Sequence, residues 1–171
     1  MLISAAAHRL AMDEIEIVEL PAQTVVGLKR RGNFSEISMF IPAMLGEVCT
    51  LILEKGGIPI GPPVALYPET LAGDAGQATE PGELELEVAF PVANRVKTEG
   101  EIAYYDLSGG RFAKAVHHGP YEEMPPVYER LFAWIAERDL RIVGPIREAY
   151  LNDPHEVEPG EILTEIYVPI A

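Results

Sequence analysis

Near the end of the chain, ILTEIYVPI (162–170) places a carboxylate in a stretch otherwise suited to a β-strand. Side chains alternate along a strand, so Leu163, Glu165, Tyr167 and Pro169 share one face, and Ile162, Thr164, Ile166, Val168 and Ile170 share the other. A carboxylate beside apolar and phenolic groups can hold a cation. It can also act as a general base where burial raises its pKa. The competing reading is a solvated strand glutamate, the usual place for that residue. Tyr150 is a candidate partner phenol; it shares a strand face with Ile146 and Glu148. A phenol can stack on an aromatic ligand, face a cation or donate to a developing charge. Tyr67, Tyr105, Trp134 and Glu87 complete the candidate ligand-binding set, though Glu87 also reads as part of a solvated face with Glu83 and Glu85.

Metal chemistry finds little support. His117 and His118 are adjacent in a strand and face opposite ways, and no Cys/His/Asp set has metal-ligand spacing. No phosphate-cradling or nucleophile motif is present, and no cofactor is expected. Cys49 lies in an apolar helical stretch and reads as inert core.

These residues need a scaffold. The chain has 171 residues and is 48% hydrophobic, enough for a sizeable core. Its 27 acidic and 13 basic residues leave a net charge of −14, which argues against direct nucleic-acid binding. The single cysteine excludes an internal disulfide, and no stretch is apolar and long enough for a membrane span. A cytoplasmic protein is expected, with residues 1–12 as a loose leader.

Strands are expected at IEIVEL, TVVGLKRRG, IPIGPPVALYPE and ELELEVAFPV, with a helix between the second and third. Asn33 and Glu36 suit a capping box at the start of that helix, Pro42 suits its first turn, and Gly56-Gly57 suits its end. TLAGDAGQATEPG (70–82) reads as a loop. The order then repeats: EIAYYDL, RFAKAVHHG, a helix over EEMPPVYERLFAWIAERDL with Pro125-Pro126 in its first turn, IVGPIREAYL and ILTEIYVPI. RGNFSE matches HGPYEE, and Tyr67 matches Tyr150, Gly61 Gly144, Glu87 Glu165 and Pro91 Pro169. The expectation is an α+β fold of two strand-strand-helix-strand-strand units, 13–95 and 99–171. Two such units join their sheets about a pseudo-twofold axis, which leaves a groove for a ligand between them.

HHGPYEEMPPVYERLFAWIAERDLRIVGPIREAYLNDP followed by EILTEIYVPI resembles the GyrI-like small-molecule-binding domain, over nearly the whole chain. That domain is also the effector-binding module of AraC-type and multidrug-sensing MerR-type regulators. The resemblance implies a duplicated fold with one central antiparallel sheet, helices packed on one side and a ligand groove at the pseudo-twofold junction. It also implies a pocket in which a last-strand carboxylate meets cationic, aromatic drugs; Glu165 matches that position. A DNA-binding segment is not expected in the dozen residues before the domain. The resemblance leaves three functions open. One is a binding protein for a hydrophobic or cationic small molecule. Another is a hydrolase of strained, cyclopropane-type toxins using Glu165 and Tyr150. The third is a gyrase-inhibitor-like protein with a topoisomerase or regulator as partner.

Overall fold

Alternating apolar residues make the strands, and helical spacing makes the two α-helices, in a computed structural model that describes residues 15–33, 36–68 and 83–171. The first half supplies β1 (Glu16–Leu20), β2 (Gln23–Asn33), α1 (Ile37–Glu54), β3 (Val64–Tyr67) and β4 (Glu83–Pro91). The second supplies β5 (Ile102–Leu107), β6 (Gly110–His118), α2 (Pro125–Glu137), β7 (Ile146–Tyr150) and β8 (Leu163–Pro169). The expected leader and the 70–82 loop fall outside the described residues.

The class is α+β, as expected. All eight strands join one antiparallel sheet in the order β1-β6-β8-β7-β3-β4-β2-β5. Exchanging each strand for its counterpart in the other half gives the same order reversed, so a pseudo-twofold axis passes between β3 and β7. The halves also trade edges. β1 pairs with β6, and β5 with β2, rather than each pairing with its sequence neighbour.

That exchange bends the sheet. β1 and β2 lie six strand spacings apart, roughly 29 Å if the sheet were flat. Only Pro21 and Ala22 connect them, a link that reaches about 11 Å. The sheet must therefore curl until its ends meet at a corner. There the β5–β6 connection packs on the β1–β2 connection: a Cβ on Gly109 would lie 2.6 Å from the Pro21 carbonyl carbon.

Both helices cover the convex face. Cross-strand partners point the same way, and Ala65 and Tyr67 oppose Glu148 and Ile146. The first pair belongs to the core under α1, where Ile41, Met44, Val48 and Ile52 pack on Val26, Leu28, Leu86 and Val88. Ile146 belongs to the core under α2, where Val127, Leu131 and Ile135 pack on Ala113, Ala115, Ile166 and Val168. Each fully buried side chain of this size contributes about 1.5–3 kcal/mol. The concave face holds a smaller core of Val25, Val64, Leu66, Ala89, Leu107 and Ala149.

The helix ends differ in how well local sequence marks them. α2 starts with Pro125 and Pro126 in its first turn, where a missing N–H costs nothing. α1 ends as Gly56-Gly57 suggests: Gly56 has φ of 75°, and Gly57 N–H donates to the Ile52 carbonyl at 2.7 Å. The expected capping box is corrected. Asn33 is the last residue of β2, because its backbone continues the ladder opposite Glu83. The helix begins at Ile37, with Glu36 at the cap position and no side-chain cap bond. Pro42 is thereby the sixth helical residue, beyond the four whose N–H groups lack an intrahelical acceptor, and removes one helical hydrogen bond. Cys49 is half-buried rather than core.

Candidate functional site

The pseudo-twofold seam is where the two halves bring phenols together. Ala65 on β3 lies directly opposite Glu148 on β7, and the two occupy matching positions in their halves. The small Ala65 leaves room above itself, and the Glu148 carboxylate lies at the middle of the convex face between the helices. Tyr67 and Tyr150, also matching positions, lean toward the axis from opposite strand ends. Their hydroxyl oxygens are 3.3 Å apart.

Three phenols donate to Glu148. Tyr150 reaches Oε1 at 2.8 Å and Tyr67 reaches it at 3.3 Å; Tyr128, from the first turns of α2, donates to Oε2. Tyr121, from the short 3-10 turn before α2, stands edge-on to Tyr150 with ring centroids 5.9 Å apart, and at 39% exposure forms the outer side of the cluster. Glu148 itself is 9% exposed. Burial pushes its carboxyl above the usual range, against the opposing pull of the hydrogen bonds from Tyr128, Tyr150 and Tyr67. Burial, and then the neighbouring Glu148 charge, push all three phenols well up, so they stay protonated donors at ordinary pH.

A row of side chains extends this cluster across the sheet. Tyr150 opposes Thr164, and Thr164 opposes His117. Thr164 is fully buried, and its Oγ1 has no hydrogen-bond partner among the described residues. His117 is buried, with Nε2 2.8 Å from the Pro120 carbonyl. His118 is exposed on the opposite face, as alternation requires.

The residues expected to form one groove divide between the two faces. Tyr67 and Tyr150 come together on the convex face. Glu165, Glu87 and Tyr105 lie on the concave face, since Glu165 opposes Ala149 and Val116 while Tyr150 opposes Thr164. The pairing of Glu165 with Tyr150 is therefore corrected: an odd-numbered residue on β8 cannot share a face with the one that opposes Tyr150. Glu165 is half-buried and already engaged. It accepts from Tyr167 at 2.7 Å and pairs with Lys114 Nζ at 3.3 Å. Glu87 accepts from Tyr105 at 2.5 Å, and burial raises the Tyr105 phenol. Trp134 sits six residues beyond Tyr128, packed on the α2 core under the Arg138 guanidinium, which is 3.9 Å from its ring centroid.

Tyr105 depends on a missing side chain. Its hydroxyl lies where a Cβ on Gly27 would be, and that Cβ would also sit 2.7 Å from the Val88 carbonyl oxygen. Gly27→Ala should displace the phenol from Glu87 and cost about 1–3 kcal/mol, read as a lower urea midpoint. An unchanged midpoint would show that the ring moves freely.

Glu148 is not among the candidates that the sequence singles out, although it shares a face with Tyr150. The usable signal was the repeat itself. With Tyr67 matched to Tyr150 and the two strands paired at the axis, Ala65 falls opposite Glu148 and makes its space.

A family model described as the GyrI-like small molecule binding domain matches residues 13–171. The chain belongs to the GyrI-like family. The C-terminal domain of EcmrR superposes on this GyrI-like chain with a TM-score of 0.75 at 20% identity, covering 92% of this chain and 96% of that domain. EcmrR in its DNA complex is longer, and this chain spans 64% of it. SAV2435 bound to tetraphenylphosphonium superposes with a TM-score of 0.61 at 17% identity, over 92% of this chain and 93% of that one. A hydrolase encoded by lin2189 from Listeria innocua gives 0.62 at 12% identity, over 92% and 91%. At these identities the likeness is one of fold. No described helix is long and apolar enough to cross a membrane.

Proposed function

We propose that this GyrI-like chain binds hydrophobic organic cations at the Glu148 cluster, with Tyr67, Tyr121, Tyr128 and Tyr150 as its aromatic walls. One observation carries the proposal: Glu148 is a buried carboxylate with no lysine or arginine at ion-pair distance among the described residues. A buried charge held by neutral phenol donors, with only the field of His117 beside them, is costly, and a cation supplied from outside offsets that cost. Phenol rings add attraction for the same cation. The tetraphenylphosphonium bound by SAV2435, which shares the fold, is a ligand of this kind. The sequence-level candidate Glu165 is less suited, because Lys114 already balances it.

Titration with tetraphenylphosphonium and with neutral triphenylphosphine oxide tests this. Glu148→Gln should weaken the phosphonium by about 2–5 kcal/mol, roughly 30-fold or more, and leave the neutral compound nearly unchanged. Glu165→Gln should leave both unchanged. Equal losses for the two ligands in Glu148→Gln would defeat the counter-charge role.

The raised pKa of Glu148 also favours a second reading, hydrolysis of a strained electrophile. Glu148 would take a proton from water as the water oxygen bonds to the strained carbon; the ring bond breaks, Tyr150 protonates the leaving atom, and the proton on Glu148 returns to the Tyr150 phenolate. Mass spectrometry after incubation with a cyclopropane-containing electrophile separates the two readings, since binding alone yields no product.

A further inference from the structure

Arg147 precedes Glu148 on β7 and projects to the other side of the sheet. It lies in the concavity, in register with Leu66 on β3 and Tyr167 on β8. Its guanidinium stands over the Phe112 ring, 4.7 Å from the centroid. One terminal nitrogen donates to the Ser108 carbonyl across the curled sheet. Arg147 is 7% exposed, and its Nε is buried without a hydrogen-bond partner. Among the described residues no carboxylate lies within ion-pair distance. Glu87 is the acid whose field reaches it, and that carboxylate is taken up by Tyr105.

A structural role alone is a poor account of this arrangement. Tying β7 to the β5–β6 connection requires one donor, which a neutral side chain could supply. A guanidinium instead buries a full charge and leaves its Nε–H unsatisfied, the costly half of the exchange. The Nε–H and an N–H of the adjoining Nη2, the nitrogen that also donates to Ser108, form the fork that takes a carboxylate in two parallel bonds. The surroundings of that fork are apolar: Leu66, Phe112, Ala149 and the Tyr167 ring.

We propose that the concave face is a second ligand site, in which Arg147 takes the carboxylate of an apolar organic acid. The acid's hydrocarbon body lies along Leu66, Ala149 and Tyr167. This site is separate from the Glu148 cluster, with opposite charge preference and on the opposite face.

Octanoate is the probe, with acetate as the carboxylate lacking an apolar body. In the wild-type chain, octanoate should bind with a Kd of about 1 mM or tighter, and acetate at least about tenfold more weakly. In 15N-resolved NMR, the Arg147 Nε–H signal should shift saturably with octanoate, a readout that needs no variant. Arg147→Met should bind octanoate about tenfold more weakly or worse, while Glu148→Gln should bind it as the wild type does. The proposal is overturned if the Arg147 Nε–H signal does not move. Equal octanoate affinity in Arg147→Met would also overturn it, since any apolar patch gives that result. Because phosphonium binding tests Glu148 and octanoate tests Arg147, either site can fail without the other.

Discussion

Glu148→Gln is expected to gain stability relative to the parent chain as pH rises from about 4.5, the ordinary carboxyl value, toward 8. Burial raises the Glu148 pKa, so the folded chain holds that proton more tightly than the unfolded chain does. The stability this contributes is complete below the unfolded pKa and is lost as pH rises through the folded one. A glutamine has no proton to lose; its amide oxygen can still accept from Tyr150, and its NH2 can donate to the Tyr128 hydroxyl oxygen. The difference in Tm between variant and parent should therefore grow with pH, and this difference cancels the other acids of the chain. A difference that shrinks as pH rises would mean that the three phenols stabilise the carboxylate more than burial penalises it. The same substitution removes most of the proposed cation affinity. A variant that is more stable near neutral pH but binds poorly is the expected mark of a carboxylate kept for its ligand.

Leu131→Ala should lower stability by about 2–5 kcal/mol, the range for emptying a leucine-sized space in a core. Leu131 is fully buried at the middle of α2, packed over the second-half sheet with Val127 and Ile135. It also lies one turn after Tyr128, so the packing that it supplies holds the donor to Glu148 Oε2. Urea denaturation should show a lower midpoint with an unchanged slope, and phosphonium affinity should fall as Tyr128 loses its support. Met39→Ala, at a 73%-exposed position on α1, provides the control and should change stability by no more than about 0.5 kcal/mol. Equal losses for both would contradict the assignment of Leu131 to the core.

Alternation along β8 and β4, helical spacing in α1 and α2, the Pro125-Pro126 start and the Gly56-Gly57 stop are local properties. Each depends on residues within a few positions of one another, so the one-dimensional pattern contains them. The α+β class and the matched halves follow from the same patterns compared over the length of the chain. Two near-terminal details did not follow: Asn33 reads as a cap and Pro42 as a first-turn residue. The pairing of β2 with β4 extends to Asn33 and moves the start of the helix.

The site itself was decided at a distance. Glu165 and Tyr150 look alike in the chain, each on a strand beside apolar neighbours, and no local pattern says which sheet face a given alternation presents to the helices. That depends on register: Thr164 opposite Tyr150, Glu165 opposite Ala149, and Ala65 opposite Glu148. The sequence alone determined that acids and phenols stand on strands at matching positions of the two halves. Only tertiary structure decided that Glu148, and not Glu165, sits among the tyrosines. The reason is physical: a one-residue offset in a strand moves a side chain to the opposite side of the sheet.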